Sequence, residues 1–392
     1  MAPVHPVYAA MDTTIFEHMS GLAREFGAIN LGQGFPDAPG PPDVIAAAAR
    51  ALTEKSNQYP PGAGLPELRD AIGTFYARRQ GLGFSREEVI VTSGATEAIA
   101  ACILALVNPG DEVILFQPAY DAYAPMVRRS GGVPVSVALT PPGWRYDAGM
   151  LEVALTDRTK LLILNDPLNP AGTVASEAEL AAIAEICVRR DLLAICDEVW
   201  EDVRFDGAAH RSLLSFPGMA SRAVKIGSAG KLFGLTGWKI GWICARGAMV
   251  AGLARAHQFL TFTSPPALQW AVAEGLAKPD AWFDAQRAAW AASRARLGQG
   301  LERAGYAVLP NAATWFLCID LAASGIALDD RAFSERAVRE AGVASIPVSA
   351  LFEGDAPKNV VRLCFTKADA TLDEAAARLA GFREQVVPHG SM

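Results

Sequence analysis

Lys231 lies in a segment whose composition suits a binding site for a small anion. Only eight of the 392 residues are lysines, yet three of them fall between 225 and 242, in KIGSAGKLFGLTGWKIGW. The glycines there disfavour a surface helix and let backbone and amines close around a ligand. A sheltered lysine can lose its proton and attack a carbonyl carbon as a nucleophile. The alternative interpretation is a solvated basic loop.

Asp197 ends the apolar run LLAIC, which we expect to form a strand buried on both faces. A carboxylate in that position is costly unless it meets a cation. Taken alone, it can cap a helix or pair with a neighbouring arginine. Together with Lys231, Asp197 suggests a more specific role, because pyridoxal phosphate requires a carboxylate that keeps its pyridine nitrogen protonated.

Further candidate residues follow other expected strands. In VTSGATEAI, the free N–H groups of Gly94, Ala95 and Thr96 would face an anion such as a phosphate, although many strand–helix turns look similar. Asn169, in LNDPLNPAG, can bind a ligand or simply fix a turn. Tyr120, in QPAYDAY, can stack on a flat ring or pack in the core.

Arg362 interrupts the apolar run VVRLCF. A buried guanidinium needs a carboxylate, and its planar fork can bind one through two hydrogen bonds. That carboxylate can come from an internal Asp or Glu. If none serves, the α-carboxylate of an amino acid substrate would.

The elements that must position these residues show a regular alternation. Between the apolar runs lie helical patterns, which predicts a mainly parallel sheet covered on both faces, with ligands at the carboxyl ends of its strands. The runs are 88–93, 112–117, 133–139, 160–166, 192–198 and 223–228. After about residue 280, helices followed by WFLCIDL and VVRLCF predict a smaller α+β domain. We therefore expect an N-terminal arm with part of the small domain at 1–45, a large domain at 46–280 and a C-terminal small domain at 281–392.

Composition narrows the classes of function. A net charge of −7 without a basic block argues against a nucleic-acid partner, and no apolar run is long enough to predict a membrane span. The N-terminus lacks a basic region followed by an apolar run, so we expect a cytoplasmic protein without a secretory signal. The six cysteines form no C-x-x-C pair and are expected to be buried thiols. The five histidines are too dispersed to predict a metal site.

Six motifs in order resemble the fold-type I aminotransferases that depend on pyridoxal phosphate, class I/II, in the subgroup of kynurenine and glutamine transaminases. They are INLGQGFPD, NQYPPGAGLPELRDAI, NPAG, AICDEVWE, GSAGKLFGLTGWKIGW and VVRLCF. The resemblance covers about residues 12 to 370. It implies an α/β fold whose large domain holds a mainly parallel seven-stranded sheet between helices, beside a smaller α+β domain.

The resemblance also implies roles around the cofactor. Lys231 would bond covalently to pyridoxal phosphate and later carry a proton between substrate and cofactor. Asp197 would pair with the pyridinium nitrogen, and Asn169 with the ring 3-oxygen beside the substrate. Tyr120 would stack on the ring. The phosphate would be held by Gly94, Ala95, Thr96, Ser228 and Lys239.

Other roles implied by the resemblance concern the substrate and a second subunit. Tyr59 would reach the phosphate of the other subunit, which implies a homodimer with shared active sites. Arg362 would hold the substrate carboxylate, helped by the backbone of Gly34. Phe16 and Phe262 would surround the substrate side chain.

Trp200 departs from the family pattern, which usually has a tyrosine three residues after the aspartate. That tyrosine donates a hydrogen bond to the ring 3-oxygen of the cofactor. An indole N–H can donate a hydrogen bond but does not titrate as a phenol does. We therefore expect the lysine-bound cofactor to ionise differently here. A milder departure is Leu168, where many relatives have a polar residue.

The substrate class follows from a missing arginine. Aspartate-type relatives carry a second arginine that binds a side-chain carboxylate, but the corresponding segment 257–271, HQFLTFTSPPALQWA, contains none. This predicts a ping-pong transfer from a neutral, aromatic or sulfur-containing amino acid to a 2-oxo acid. Candidate donors are methionine, glutamine, phenylalanine and kynurenine.

Three other functions share some of these sequence features. A cysteine-S-conjugate β-lyase would use every residue named above. A non-catalytic regulator that binds pyridoxal phosphate usually carries an added DNA-binding region, which the first fifty residues do not resemble. A dinucleotide dehydrogenase would suit the sheet, but no G-x-G-x-x-G follows the first strand.

Overall fold

The computed structural model describes residues 4–387. Its strands are β1 (Ile29–Asn30), β2 (Val89–Ser93), β3 (Glu112–Gln117), β4 (Val133–Ala138), β5 (Thr159–Asn165), β6 (Leu193–Asp197), β7 (Ala223–Ser228), β8 (Ile240–Cys244), β9 (Ala307–Val308), β10 (Phe316–Asp320), β11 (Val343–Ala344), β12 (Ile346–Pro347) and β13 (Val360–Cys364).

The helices alternate with these strands and cover them. They are α1 (Pro6–Ala9), α2 (Ile15–Glu25), α3 (Pro42–Glu54), α4 (Pro66–Gln80), α5 (Gly94–Leu106), α6 (Tyr123–Arg129), α7 (Ala148–Ala154), α8 (Glu177–Arg190), α9 (Ala229–Leu232), α10 (Met249–Gln258), α11 (Pro266–Leu276), α12 (Asp280–Arg303), α13 (Asp330–Arg336) and α14 (Asp369–Val386). The last turn of α13 continues as a π-helix over Ala337–Ala341.

The large sheet has seven strands in the order β2-β8-β7-β6-β5-β3-β4. All neighbouring strands are parallel except β8, which runs antiparallel to both β2 and β7. The predicted mainly parallel α/β sheet is therefore confirmed. Its parallel strands direct their carboxyl ends to one edge, where ligands bind in sheets of this type.

Continuous apolar strands form this sheet because both of its faces are buried. Successive side chains point to opposite faces. On β5, Leu162 and Leu164 pack on one face with residues of α3, α4, α8 and α11, whereas Leu161 and Ile163 pack on the other with residues of α5, α6 and α10. Each face thus has its own apolar core.

A smaller antiparallel sheet has the strand order β12-β13-β10-β9. Its apolar core includes residues of α12, α13 and α14. The N-terminal strand β1 pairs in parallel with β11, so residues near 30 join this C-terminal part of the molecule. The expected smaller α+β layer is present, and the domain boundaries at 45 and 280 remain predictions.

The six cysteines are free and buried, as the sequence predicts. Burial raises the pKa of the Cys187 and Cys318 thiols to about 12, which keeps them protonated. Within residues 4–387, no helix has the length and apolar character needed to cross a bilayer.

Candidate active site

A cavity of about 300 Å³ opens at the carboxyl edge of the large sheet. It is enclosed by the ends of β2, β5, β6 and β7 and by residues from the N-terminal and C-terminal parts of the chain. Of the residues singled out from the sequence, the cavity brings together Phe16, Gly34, Gly94, Ala95, Thr96, Tyr120, Asn169, Asp197, Trp200, Ser228, Lys231, Lys239 and Arg362.

Lys231 sits in the one-turn helix α9, directly after β7. Burial lowers the pKa of its amine to about 8, and the positive charges of Arg362 and Lys239 act in the same direction. The Nζ atom lies over two indole rings, 4.8 Å from the centroid of Trp200 and 5.2 Å from that of Trp315. A substantial fraction of the amine is therefore neutral near pH 7 to 8, as a nucleophile or general base requires.

Asp197 is the last residue of β6, and only one of its two carboxylate oxygens has a hydrogen-bond donor within residues 4–387. Its Oδ2 accepts a hydrogen bond from the hydroxyl of Tyr123, whereas its buried Oδ1 has no partner among the described residues. Burial raises the pKa of this carboxyl to about 6, although the Tyr123 hydrogen bond, the backbone N–H of Val199 and the Lys231 charge oppose the rise. An unpaired buried carboxylate oxygen is costly, so the geometry favours a ligand that supplies a donor or a cation.

A chain of side-chain amides connects this carboxylate strand to Arg362. Asn165 donates from Nδ2 to the backbone carbonyl of Asp197 over 2.9 Å, and its Oδ1 accepts the Asn169 N–H over 2.9 Å. The Oδ1 of Asn169 accepts from Nη1 of Arg362 over 3.2 Å. These bonds fix the loop after β5 against the smaller sheet.

Arg362 lies on β13 and is 2% exposed. Its Nη2 donates to the carbonyl of Gly32 over 2.6 Å, and its guanidinium stacks 4.0 Å from the Phe316 ring and 5.1 Å from the Phe16 ring. Burial lowers the pKa of Arg362 to about 10. Because both hydrogen-bond acceptors are neutral, the guanidinium keeps its charge available for a carboxylate in the cavity.

At the predicted phosphate turn, the start of α5 lies very close to strand β8. Gly94 begins α5 with φ +75°, and a Cβ there would lie 3.0 Å from Nζ of Lys239. A Cβ on Gly241 of β8 would lie 2.6 Å from the carbonyl carbon of Gly94. The N-terminus of α5 and the Lys239 ammonium therefore share one cradle, which suits an anion through both dipole and charge. Ser228, at the end of β7, lines the same cavity.

Aromatic side chains form the walls of the cavity. Trp200 is buried and packs edge-on against Trp315 and Phe316, with centroids 5.0 and 5.4 Å away. Its ring faces the Lys231 amine. The hydroxyl of Tyr120 lies 3.5 Å from Oγ1 of Thr96, and burial raises its pKa. These rings limit the water around the amine.

Tyr59 and Phe262 do not line the cavity of their own chain. They form an exposed edge-on pair with centroids 5.6 Å apart, and Tyr59 is 84% exposed. Phe262 holds a left-handed backbone with φ +66°, which is uncommon for a bulky residue. Their roles beside the cofactor and substrate remain predictions, because those roles require a second subunit.

Several lining residues were not found from the sequence. Tyr123 lies three residues after Tyr120 in the same motif, and Asn165 ends an expected strand, so position gave some signal for both. Nothing in the apolar run WFLCIDL distinguished Phe316. The other lining residues missed are Gln33, Ile99, Val199, Gly230 and Thr236.

Comparison with known proteins gives consistent matches over nearly the whole chain. The sequence profile of the family described as aminotransferase class I and II matches residues 27–379. The solved structure of N-succinyldiaminopimelate aminotransferase from Mycobacterium tuberculosis is 46% identical, covers 96% of this chain and 99% of that chain, and superposes with a TM-score of 0.93.

Two curated relatives are similar over comparable lengths. The methionine aminotransferase of Escherichia coli K12 is 39% identical over 370 residues, or 94% of this chain and 96% of the relative. Kynurenine–oxoglutarate transaminase 1 of Rattus norvegicus is 33% identical over 409 residues, or 95% of this chain and 96% of the relative.

Proposed function

The chain belongs to the family of class I and II aminotransferases, and we propose that it uses pyridoxal phosphate to move an amino group from a neutral, aromatic or sulfur-containing L-amino acid to a 2-oxo acid. The observation that carries the cofactor assignment is the partnerless Oδ1 of Asp197, buried in a cavity that also holds the Lys231 amine.

The residues present fit this cofactor. The orphaned carboxylate oxygen suits a protonated pyridine nitrogen, and the cradle at Gly94 and Lys239 suits a phosphate. Tyr120 would lie against the ring, and Asn169 would donate to the ring oxygen. When bound through Lys231, pyridoxal phosphate acts as an electron sink for the substrate Cα.

Side chains of this protein would then bind the substrate and transfer its Cα proton. Arg362 binds the α-carboxylate and orients the Cα–H bond. The freed Lys231 amine would accept the Cα proton, because its pKa of about 8 leaves roughly a tenth of it neutral at pH 7 and about half at pH 8. Asp197 would hold the proton on the ring nitrogen. The walls formed by Trp200 and Phe316 exclude water from the amine.

Charge in the cavity supports a neutral substrate side chain. Within the described part of the chain, the cations lining the cavity are Lys231, Lys239 and Arg362, and each already has a proposed partner. A side-chain carboxylate would therefore lack a counter-charge from this chain. Phe16 and Phe316 offer apolar surface to an aromatic or thioether group instead.

A second donor is favoured by one comparison. The relative that is 46% identical is an N-succinyldiaminopimelate aminotransferase, so that compound is the alternative amino donor. A cysteine-S-conjugate β-lyase activity would use the same residues.

We also propose that the protein is a homodimer, with Tyr59 and Phe262 completing the site of the partner. Phe262 of the exposed aromatic pair lies near the exposed Phe259 and Leu260 in sequence, and the pair supports this arrangement because a cluster of exposed apolar side chains often marks a surface for another protein. The buried free thiols accord with the expected cytoplasmic location.

A two-part experiment tests the proposal. Borohydride reduction of the protein loaded with pyridoxal phosphate, followed by peptide mapping, should label Lys231, and a label on another lysine would refute the assignment. A donor panel with a common 2-oxo acid should rank methionine, glutamine, phenylalanine and kynurenine above aspartate. A clear preference for N-succinyldiaminopimelate would select the alternative donor. Pyruvate release from a cysteine conjugate without an oxo acid would indicate the lyase.

A further inference from the structure

A buried ion pair lies directly behind the phosphate turn. Glu97 is in the first turn of α5, three residues after Gly94, and is 8% exposed. His257 is in the last turn of α10 and is 1% exposed. Neither residue lines the cavity, and the proposed reaction uses neither of them.

Both ring nitrogens of His257 face oxygen atoms. Nδ1 lies 2.8 Å from Oε1 of Glu97, and Nε2 lies 2.9 Å from the carbonyl oxygen of Gly62. The Gly62 carbonyl can only accept, so Nε2 carries a proton, and Nδ1 carries one as well unless Glu97 is itself protonated. Burial raises the pKa of Glu97, but the hydrogen bonds that it accepts from His257, Ser93 and Thr261 lower it overall, which favours an ionised Glu97 beside an imidazolium.

The Glu97 carboxylate also accepts hydrogen bonds from two further donors. Its Oε2 accepts the N–H of Ser93, the residue before the phosphate turn, and its Oε1 accepts the hydroxyl of Thr261 over 2.8 Å. On the other side of the imidazole, a Cβ on Gly62 would lie 3.6 Å from the ring of Phe262. The ion pair thus joins the phosphate turn to the two loops that carry Tyr59 and Phe262.

We propose that the His257 imidazolium is a positioning residue for the cofactor phosphate. With Glu97 it fixes the turn 94–96 and the Tyr59–Phe262 pair in one arrangement. It also neutralises a carboxylate that lies one helical turn from the anion cradle. The proposal rests on the proposed binding of pyridoxal phosphate, and it assigns this chain a buried cation that acts from outside the cavity.

The groups facing His257 determine how it responds to pH. Glu97 on α5 is the charged side chain in contact, the backbone carbonyls of Gly62 and Phe262 come from the two loops, and Arg255 on α10 is exposed. Burial lowers the pKa of His257, but these hydrogen bonds and the Glu97 charge outweigh it, so the net shift is upward. The ion pair is therefore present below the ordinary histidine pKa as long as Glu97 stays ionised, and it is lost as pH rises through the raised pKa of His257.

Histidine side-chain NMR on the apoprotein tests the protonation state without the cofactor. One imidazole resonance should remain in the charged form well above pH 6.5, the ordinary histidine pKa, and should be missing in His257→Gln. Glu97→Gln retains the ring and should lower its titration midpoint by at least about one pH unit. A neutral His257 at pH 6.5 would overturn the proposal.

Cofactor affinity supplies the second measurement. The ratio of the dissociation constants of pyridoxal phosphate for the His257→Gln and wild-type apoproteins cancels the ionisation of the ligand itself. We expect a ratio of about ten near pH 6.5 that falls towards one at high pH, where wild-type His257 is also neutral. A ratio that does not change with pH would reduce His257 to a purely structural role and overturn the proposal.

A matched control uses the other buried histidine among residues 4–387. His210 has its Nε2 3.1 Å from Oε2 of Glu198, away from the cavity lining, so His210→Gln should leave the affinity ratio flat. The two proposals can also fail separately. If the apoprotein does not bind pyridoxal phosphate, the proposed function fails, while the NMR titration still decides the charge of His257.

Discussion

Lys225 is buried and Lys231, six residues later, is half-buried, and their surroundings give them opposite properties. Lys225 lies on β7, and its ammonium contacts the carboxylates of Glu198 and Glu201, which raise its pKa despite burial. Lys231 lies against two indole rings, and burial lowers its pKa to about 8. The comparison shows that burial produces a reactive amine only where carboxylates do not compensate it.

Two adjacent carboxylates repeat the contrast. Glu198 accepts from Ser212 and Lys225 and lies beside His210, and its pKa falls to about 2. Asp197 has a partnerless oxygen, and its pKa rises to about 6. Both oxygens of Glu198 therefore have donors, and we call this pairing of its carboxylate the complete network, although the His210 nitrogens beside it make no hydrogen bond among the described residues. Asp197 in contrast keeps one oxygen that a ligand must pair.

The complete network also resembles a metal site in its residue types. One ligand atom from each of Glu198, Glu201 and His210 lies within 4.8 Å of the others. The Lys225 ammonium contacts both carboxylates, so it already supplies the positive charge that a metal ion would bring. Removing that lysine is the most direct way to separate structural charge from catalytic charge.

Lys231→Ala should have the largest effect, on turnover. Without the amine, neither covalent attachment nor proton transfer at Cα has a replacement, so we expect a loss on the order of 10⁴- to 10⁶-fold. Single-turnover kinetics with an amino donor measures it. Cofactor binding through the phosphate cradle should survive, and turnover comparable to wild type would refute the role of Lys231.

Lys225→Met should instead reduce stability. It leaves two buried carboxylates without a cation, which costs about 3–5 kcal/mol of unfolding free energy. Urea denaturation of the apoprotein measures the loss, with Lys231→Ala as the matched control that should lose far less. A Lys225→Met protein as stable as the control would show that the two lysines are not electrostatically distinct.

Asp197→Asn and Glu198→Gln should change apoprotein stability in opposite directions at pH 7. The raised pKa of Asp197 means that the folded state binds its proton more tightly, so stability falls as pH rises from about 4 to 6. Removing that charge should stabilise the apoprotein by about 1–3 kcal/mol. Denaturation curves at pH 4 and 7 measure this.

For Glu198 the sign reverses. Its lowered pKa contributes stability that is present above the unfolded value of about 4.5 and is lost as pH falls towards 2. Glu198→Gln should therefore destabilise by about 2–3 kcal/mol at pH 7. If Asp197→Asn and Glu198→Gln changed the free energy of unfolding in the same direction, the distinction between the complete and incomplete networks would be wrong.

Trp200→Tyr should have the smallest effect. A phenol in place of the indole adds a titratable donor beside Lys231, so the absorbance titration of the loaded protein should move by about one pKa unit. Trp315→Phe, at the second ring over the amine, serves as control and should shift it less. Superimposable titration curves for Trp200→Tyr and wild type would disprove the expectation.

The sequence points to Lys231 through its glycine-rich segment, and to Asp197 and Arg362 because each is a charge at the end or in the middle of an apolar strand. Burying a charge in a strand costs free energy, and that placement can be recognised from the sequence alone. The strand β8 is not predicted because it begins inside the glycine-rich motif, which the sequence analysis interprets as a ligand-binding segment. Tyr123 and Asn165 were not assigned because their contacts join segments that are distant in sequence.

Some roles cannot be predicted from a single sequence because they depend on a bound cofactor, a second subunit or the shape of the pocket. The value of Trp200 as a hydrogen-bond donor depends on a bound cofactor, and the roles of Tyr59 and Phe262 depend on a second subunit. The substrate depends on the shape of a pocket whose walls come from both ends of the chain. The proposed preference for a neutral side chain rests on the cations that line this cavity in one chain.

The buried cysteines make local opening of the protein measurable by thiol labelling. Cys196 and Cys244 lie on β6 and β8 of the large sheet, Cys102 and Cys187 lie on the covering helices α5 and α8, and Cys318 and Cys364 lie on β10 and β13 of the small sheet. A thiol reagent reaches these positions only when the surrounding structure opens. Labelling kinetics followed by mass spectrometry would therefore time the opening around each cysteine in a single unmodified sample.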